Sequence, residues 1–461
     1  MILLQLLACA TFVAPQAGPH QVSRATPSTT SAPRASSESS EDAARAADQE
    51  LARELAIIVR RARDPKDSER SRLADAIARL GDRAIDPLLG LLEVRRVPAV
   101  VGDQPVQVLS VYQEQIVFEG LERIGADKAL AQMDRRLAVA AEERRRLAAL
   151  KVFGRLGERD RMERMFALAA PMDDEPADEQ LVGGLRASLA VLLARDPLAL
   201  PRLNSTWRSI DPALLEPIVF ALGELRDGRG LEFATDVAFS HPELVPVVAA
   251  QIVLIGRSPD SSVNARAIEF LRETLDVSEG HLASNLARAL AVLEDDGSVQ
   301  RWIDFLDAES NSLRSAALWS LVHFSKLEYS PTPALWQAWW DREQAWFDAE
   351  YEPLLADLDS PDAGKATAAL RALATRHVRR HEVAREITRV LSDERPALRK
   401  LACDVLRELG SIDALPELAL ARLDEDPAVA RAAWSALGSL SGRAFELESP
   451  EWEALVAARE P

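Results

Sequence analysis

The feature that most constrains this chain is a helical unit that recurs along it. In one copy, Leu73, Ile77 and Leu80 follow spacings of four and three, which places them on one face of a helix. Gly81 then ends the helix, because glycine adopts the left-handed cap conformation at little cost. A second helix follows, with apolar residues on its inner face: Ile85, Leu88, Leu89 and Leu92. The unit is therefore predicted to be two helices joined by a tight turn.

Copies of this turn return later in the chain, and several successive turns lie about 30 to 36 residues apart. They are Ile124-Gly125, Leu156-Gly157, Leu222-Gly223, Ile255-Gly256 and Leu409-Gly410. A helix pair has two apolar faces and covers only one with its own partner helix, so the next pair must cover the other. The pattern predicts a solenoid of stacked pairs. Around 196–207 and 293–307 the turn glycine is absent or displaced.

Composition supports this interpretation and excludes others. At 461 residues the chain is too long for one ordinary core. Its only cysteines are Cys9 and Cys403, which excludes a disulfide framework and a cysteine-built zinc site. A net charge of −18 argues against a general nucleic-acid binder, which needs a basic face. Almost all the net negative charge falls after residue 170, whereas the part before it contains basic runs.

Two segments carry a resemblance to a known family. Leu80 to Leu89 resembles the turn and second helix of bacterial HEAT-like repeats, and Ala402 to Gly410 resembles their first helix and turn. The resemblance extends over most of residues 67–459. It implies an all-α fold, an α-solenoid of stacked antiparallel helix pairs. It also implies a protein-interaction scaffold in general, and it names no partner because fold does not determine function.

The amino-terminal segment 1–14 is apolar and too short to span a membrane, which favours an export signal. Leu6 to Cys9 resembles a lipobox, so Cys9 is a candidate for lipidation and the only predicted link to a membrane. The basic residues that usually open an export signal are missing. These features predict an exported protein of the bacterial periplasm or cell envelope, with or without a lipid anchor.

The rest of the chain divides by composition. Residues 15–40 are rich in Ser, Thr, Pro and Ala and are predicted to be a disordered linker. A first repeat array is predicted over 41–350, with a polar-faced cap helix at 41–63. A second, short array is predicted over 351–461. The division follows from two similar closing motifs that begin at Trp319 and at Trp434.

One stretch departs from the helical pattern. Residues 94–111 are rich in valine, alternate apolar and polar positions, and contain a Gly102-Asp103 turn signal. They predict a β-hairpin inserted between two repeats. The hairpin is either a lip that touches a partner or a decoration packed on the array.

An aromatic cluster supplies the candidate partner-binding residues. Tryptophan and tyrosine are enriched at binding hot spots. On a helix the cluster is too broad for all of its members to face one core. The alternative is that these side chains bury the junction between the two arrays. The candidates are Trp336, Trp339, Trp340, Trp346 and Tyr351.

No catalytic, cofactor-binding or metal site is predicted. His377 and His381 are four residues apart, as a helical metal pair requires, but the apolar pattern changes phase between them. A turn between two helices explains that change better, and Arg379 and Arg380 would repel a cation. Motifs such as HExxH, G-x-S-x-G and a glycine-rich phosphate loop are absent from the sequence.

The sequence therefore predicts a non-catalytic, exported scaffold that binds protein or peptide partners on a curved surface. Two alternatives stay open. One is a lipid-anchored spacer of the bacterial envelope. The other is an enzyme, since some HEAT-like proteins are DNA glycosylases or act on tetrapyrroles. A glycosylase would need an acidic group and aromatic side chains together in a pocket with basic walls.

Overall fold

The computed structural model describes residues 35–62, 67–93, 109–171 and 177–441. The chain divides into two compact units, 1–54 and 55–461. The first unit contributes the beginning of α1 (Ala35–Arg61), so the last six residues of the predicted linker are helical. The predicted signal segment, with Cys9, lies outside the described residues.

The described part of the second unit is built of helices and contains no strand. The first half of its helices are α2 (Asp67–Arg79), α3 (Ile85–Leu92), α4 (Val111–Val139), α5 (Glu143–Leu156), α6 (Met162–Ala169), α7 (Glu179–Arg195), α8 (Ala199–Thr206), α9 (Leu215–Leu225), α10 (Leu231–Ser240), α11 (Val245–Ile255) and α12 (Ser261–Asp276). The remainder are α13 (Gly280–Val292), α14 (Val299–Phe305), α15 (Asn311–Ser325), α16 (Pro333–Trp346), α17 (Glu352–Leu358), α18 (Ala363–Ala374), α19 (Arg380–Thr388), α20 (Pro396–Leu409), α21 (Leu415–Ala421) and α22 (Pro427–Ser441).

Alternate helices stack in one layer. Each of α5, α7, α9, α11 and α13 packs on the next member of the series, ending at α15. The helices between them, such as α10, α12 and α14, cover the other side of the same core. The series α18, α20 and α22 repeats the arrangement. Because each pair is covered by its neighbours, as the apolar pattern predicts, the described part of the second unit is an all-α solenoid.

The predicted turn and core residues explain this stacking. Gly81, Gly256 and Gly410 have φ of 66°, 84° and 69°, a conformation that favours glycine. Ile77 and Leu88 are fully buried on either side of the first of these turns. The sequence prediction that glycine ends the first helix of a repeat is confirmed at these three positions.

The predicted hairpin 94–111 lies outside the described residues as far as residue 108. Its last residue is not in a strand, because α4 begins at Val111. Ser110 caps that helix: its hydroxyl accepts a hydrogen bond from the backbone N–H of Gln113 at 3.3 Å. The Gln113 side chain accepts one in return from the N–H of Ser110 at 2.9 Å. Such reciprocal capping fixes the start of a helix.

The predicted boundary between the arrays at residue 350 falls inside a helix. α16 continues through a π-helical turn, Phe347–Tyr351, directly into α17. α16 packs against α14, and α17 packs against α18. Among the described helices, α15 makes no comparably extensive contact with α17 or α18. A continuous helical segment with a π-helical turn, rather than a linker, therefore carries the chain across this break in the stacked layer.

No helix within the described ranges combines the length and the apolar character that a membrane span requires. Cys403 is fully buried on α20, and burial raises the pKa of its thiol to about 12. This agrees with the prediction that it belongs to the core.

Candidate functional site

The structure places most of the predicted aromatic site in the interior. Trp336, Trp339, Trp340 and Tyr351 are all buried. The indole N–H of Trp336 donates a hydrogen bond to the carbonyl of Ser330 at 3.1 Å. Burial, followed by the charge of a nearby glutamate, raises the pKa of the Tyr351 hydroxyl. These four side chains are packed inside the segment that joins α16 to α17 through the π-helical turn, and they offer little surface to a partner.

Trp346 is the partly exposed member of the predicted set. The guanidinium of Arg376 lies over its ring, 3.9 Å from the centroid. Beside it, Arg379 lies over Phe347 at 5.0 Å. Cations over aromatic faces attract the ring electrons, so these two contacts fix the turn between α18 and α19 against the π-helical turn.

The two histidines do not share a helical face. His377 lies in the turn after α18, whereas His381 lies in the first turn of α19 and is buried. The predicted turn between them is therefore confirmed. His381 instead belongs to a group of charged residues that sequence reasoning missed. This charged cluster comprises Arg257, Glu294, Arg380, His381 and Asp413.

A fork of hydrogen bonds forms the centre of the charged cluster. Nε of Arg380 donates to Oε2 of Glu294 at 2.7 Å, and its Nη2 donates to the other carboxylate oxygen. Nε2 of His381 lies 2.8 Å from Oε2 of the same carboxylate. Its Nδ1 lies 2.8 Å from the hydroxyl of Ser411.

Arg257 brings a third turn to the charged cluster. Its Nη1 donates to the carbonyl of Leu293, and its Nη2 lies 3.6 Å from the Asp413 carboxylate. Asn264 holds the turn that presents Arg257. The amide of Asn264 donates to the Ser258 carbonyl at 2.8 Å, and its oxygen accepts from the Ser258 N–H at 2.8 Å.

The side chains of the charged cluster are well removed from water. Those of Glu294 and His381 are 10% exposed, and that of Asp413 is 4% exposed. Burial would raise the pKa of Glu294, but His381 and Arg380 outweigh it and lower the pKa to about 2. Burial lowers the pKa of Arg257, opposed by Asp413 and Glu294. The Glu294 carboxylate is therefore held in the charged form by His381 and Arg380.

A cavity of about 380 Å³ lies beside the charged cluster. Its walls include Phe324 and Asp296 from the central repeats and Arg379 and Arg385 from the later ones. The predicted aromatic residues do not line this cavity. The described residues contain no group of three ligands suited to a metal ion.

A second feature is an exposed ladder on the stacked layer. Its members follow one another at intervals of 34, 34, 34 and 31 residues on α7, α9, α11, α13 and α15. Neighbouring helices in this series pack together. We call Arg186, Phe220, Leu254, Arg288 and Trp319 the exposed ladder.

Two pairs of ladder members join a cation to a ring. Arg186 lies over Phe220 at 4.8 Å, and Arg288 lies over Trp319 at 5.9 Å. Trp319 also stacks on His323, with ring centroids 4.8 Å apart. Trp319 stays 37% exposed and Leu254 stays 43% exposed. The sequence pointed to Trp319 only as the start of a closing motif, although the regular interval is visible in it.

Fold and site together define a helical repeat protein of the α-solenoid class. No family model matches the chain, and no curated protein matches it. Among solved structures, Kap121p bound to Nup53p is similar over 88% of this chain and 51% of its own, at 12% identity and a TM-score of 0.37. Kap121p bound to Ste12p is similar over 88% of this chain and 50% of its own, at 12% identity and a TM-score of 0.36. An engineered protein matches over 84% and 99%, at 15% identity and a TM-score of 0.29. The chain thus spans about half the length of Kap121p.

Proposed function

We propose that this protein is a non-catalytic scaffold of the HEAT-like type that binds an extended segment of another protein along the exposed ladder. The carrying observation is that an arginine lies over a ring twice along the stacked helices, Arg186 over Phe220 and Arg288 over Trp319. The exposed Leu254 lies on the helix between these two pairs. Aromatic and arginine side chains dominate binding hot spots. Stacked repeats present such residues over an extended surface.

The ladder also sets the form of the partner. Packed helices lie about 8–10 Å apart, so the pairs Arg186–Phe220 and Arg288–Trp319 each span one step of about that length. A polyproline II segment rises about 3.1 Å per residue and has three residues per turn, so every third side chain faces the same way. Its successive anchors then lie about 9 Å apart. An extended partner with an apolar anchor at every third residue therefore fits the ladder.

Charge adds one requirement to the partner. Arg186 already pairs with Glu224, whose carboxylate accepts from its Nε at 2.6 Å. The Nε of Arg288, by contrast, is buried without a hydrogen-bond partner among the described residues. A carboxylate in the bound segment would pair with the part of the Arg288 guanidinium that stays accessible, since this side chain is only half-buried. We therefore expect an acidic side chain in the partner close to the anchor that reaches Trp319.

Selection from a random peptide library on the full chain tests this function. We expect enriched peptides with apolar residues three apart and an acidic neighbour. The fluorescence anisotropy of a labelled selected peptide should show binding weakened at least about tenfold by Trp319→Ala. Trp434→Ala is the matched control, because Trp434 is 41% exposed on α22, outside the ladder. Peptides that bind the wild type and Trp319→Ala equally would contradict the proposal.

We also propose that the protein is exported to the bacterial envelope, which the apolar segment 1–14 supports. Labelling of cells with a radioactive fatty acid tests the lipid anchor. We expect label in the wild type and none in Cys9→Ser. An exported chain without label would show that the protein is secreted and carries no lipid anchor. A chain that stays in the cytoplasm would contradict export. If the protein is only an envelope spacer, the library selection should yield no specific peptide.

A further inference from the structure

The charged cluster joins parts of the chain that stacking alone does not bring together. Stacked neighbours lie about 30 to 36 residues apart in sequence. Glu294 and Arg380 are 86 residues apart, and Arg257 and Asp413 are separated by more than 150. The cluster therefore connects the turns after α11 and α13 directly to the turns before α19 and after α20. It spans the break in the stacked layer between α15 and α18.

We propose that the charged cluster is a reversible clasp, which holds the repeats from α18 to α22 against the central turns and can open without unfolding either side. The first argument is its chemistry. Buried ion pairs carry a desolvation penalty that largely offsets their attraction, so they add specificity of position more than stability. A permanent joint of the same size would be apolar, as the contacts between stacked helices are.

Backbone conformation supplies the second argument. Glu294 and Arg379 have φ of 58° and 52°, although neither is glycine. They lie on opposite sides of the clasp, where Nε of Arg379 lies 3.2 Å from Oδ2 of Asp296, two residues after Glu294. Left-handed residues also end other helices, at Arg226 and Lys326, but here two of them border one contact. Residues in such conformations persist where the surroundings hold them.

The helical segment from α16 to α17 supplies the pivot. It lies on the covalent path between the two sides of the clasp, and it contains the π-helical turn Phe347–Tyr351. Single π-helical turns in α-helices recur at functional sites. Arg379 contacts this turn through Phe347 and contacts the clasp through Asp296. Movement at the clasp would therefore reach the π-helical turn through Arg379.

Amide hydrogen exchange of the full chain tests the clasp. In Glu294→Gln, we expect the exchange rate to rise at least about tenfold in the first turn of α19 and at 411–414. Both segments lie across the clasp from the substituted residue. In Arg380→Gln, we expect the same rise at 293–298. Exchange in the double variant should be no faster than in either single variant, because both substitutions open the same contact. The interiors of α11, α13, α20 and α22 should stay protected in all three.

Lys400→Gln is the matched control, because Lys400 pairs with Asp404 within α20 alone. It should change exchange only in α20. If either cluster variant fails to fold by circular dichroism, Asp296→Asn replaces it, since this half-exposed residue meets Arg379 at the rim. It should give the same pattern with a smaller rise. Three outcomes would each overturn the clasp. Exchange could rise only on the substituted side, the effects of the two substitutions could add in the double variant, or protection could be lost throughout α18–α22.

Discussion

At the scale of single residues, the departures from the repeat pattern locate the most informative positions. Where α13 ends, the sequence lacks the expected turn glycine, and Glu294 takes the left-handed conformation in its place. The same occurs at Arg226, Lys326 and Arg379. The missing glycine could be detected from the sequence. Its consequence could not, because a left-handed glutamate becomes a site only when distant residues converge on it.

Left-handed geometry at Arg379 leads to a comparison of two substitutions. Both Arg379→Gly and Arg379→Ala remove the contacts with Asp296 and Phe347, but only glycine adopts φ near 52° without a steric cost. We expect the glycine variant to unfold with a free energy about 0.5–1 kcal/mol higher than the alanine variant. Urea denaturation followed by circular dichroism measures the difference. An alanine variant of equal or greater stability would show that the backbone there is unstrained.

The pKa of Glu294 predicts a pH dependence with a definite sign. Its ordinary value is 4.5, and the pairing with His381 and Arg380 lowers it to about 2 in the folded protein. A lowered pKa means that this group stabilises the fold fully above about pH 4.5 and loses that effect as the pH falls toward 2. The wild type should therefore be more stable than Glu294→Gln at pH 7, and the gap should narrow between pH 5 and 2. Urea midpoints across this range measure the gap, and a constant gap would contradict the assignment.

At the scale of elements, glycines inside helices set how closely neighbours stack. The sequence places a turn at Gly223, but the structure extends α9 to Leu225, and Arg226 ends it. Gly223 lies inside the helix because Gln251 of the next layer helix approaches it; a Cβ there would come to 3.1 Å from Cδ of Gln251. Glycine in a repeat thus serves either the turn or close approach, and spacing alone does not separate the two.

Two helical glycines give opposite predictions. A Cβ at Gly154 on α5 would lie 2.8 Å from Cβ of Ser188 and 2.9 Å from its carbonyl carbon, whereas a Cβ at Gly183 on α7 meets nothing within 4 Å. Gly154→Ala should lower the free energy of unfolding by about 1–3 kcal/mol, because α5 and α7 must separate. Gly183→Ala should raise it by about 0.5–1 kcal/mol through helix propensity. Thermal and urea unfolding of both variants checks the signs, and effects of the same sign would contradict the packing.

The aromatic segment shows what sequence reasoning can resolve within one element. The excess of tryptophan over 336–351 was evident, and so were its two interpretations, a docking surface and an internal joint. Burial of Trp336 and Trp340 places them in the interior. The π-helical turn that lets Phe347 and Tyr351 face inward has no sequence signature, so its position could not be derived from the pattern.

At the scale of the whole molecule, the stacking of helix pairs followed from the apolar pattern because each pair contacts its sequence neighbours. Predicting the charged cluster would have required the relative position of repeats more than two units apart, as for Arg257 and Asp413. The exposed ladder lies between these cases. Its interval of 34 residues is present in the sequence, but only the packed layer shows that Phe220 and Trp319 face outward together.

The central claim is that neighbouring repeats stabilise one another, and hydrogen exchange after a single core truncation tests it most directly. Leu222 is fully buried on α9, and Leu222→Ala should destabilise its surroundings by about 2–5 kcal/mol. In a stack held from neighbour to neighbour, protection should fall most in α7, α9 and α11 and remain unchanged in α2 and α22. An equal loss of protection in every helix would show instead that the second unit unfolds as one cooperative core.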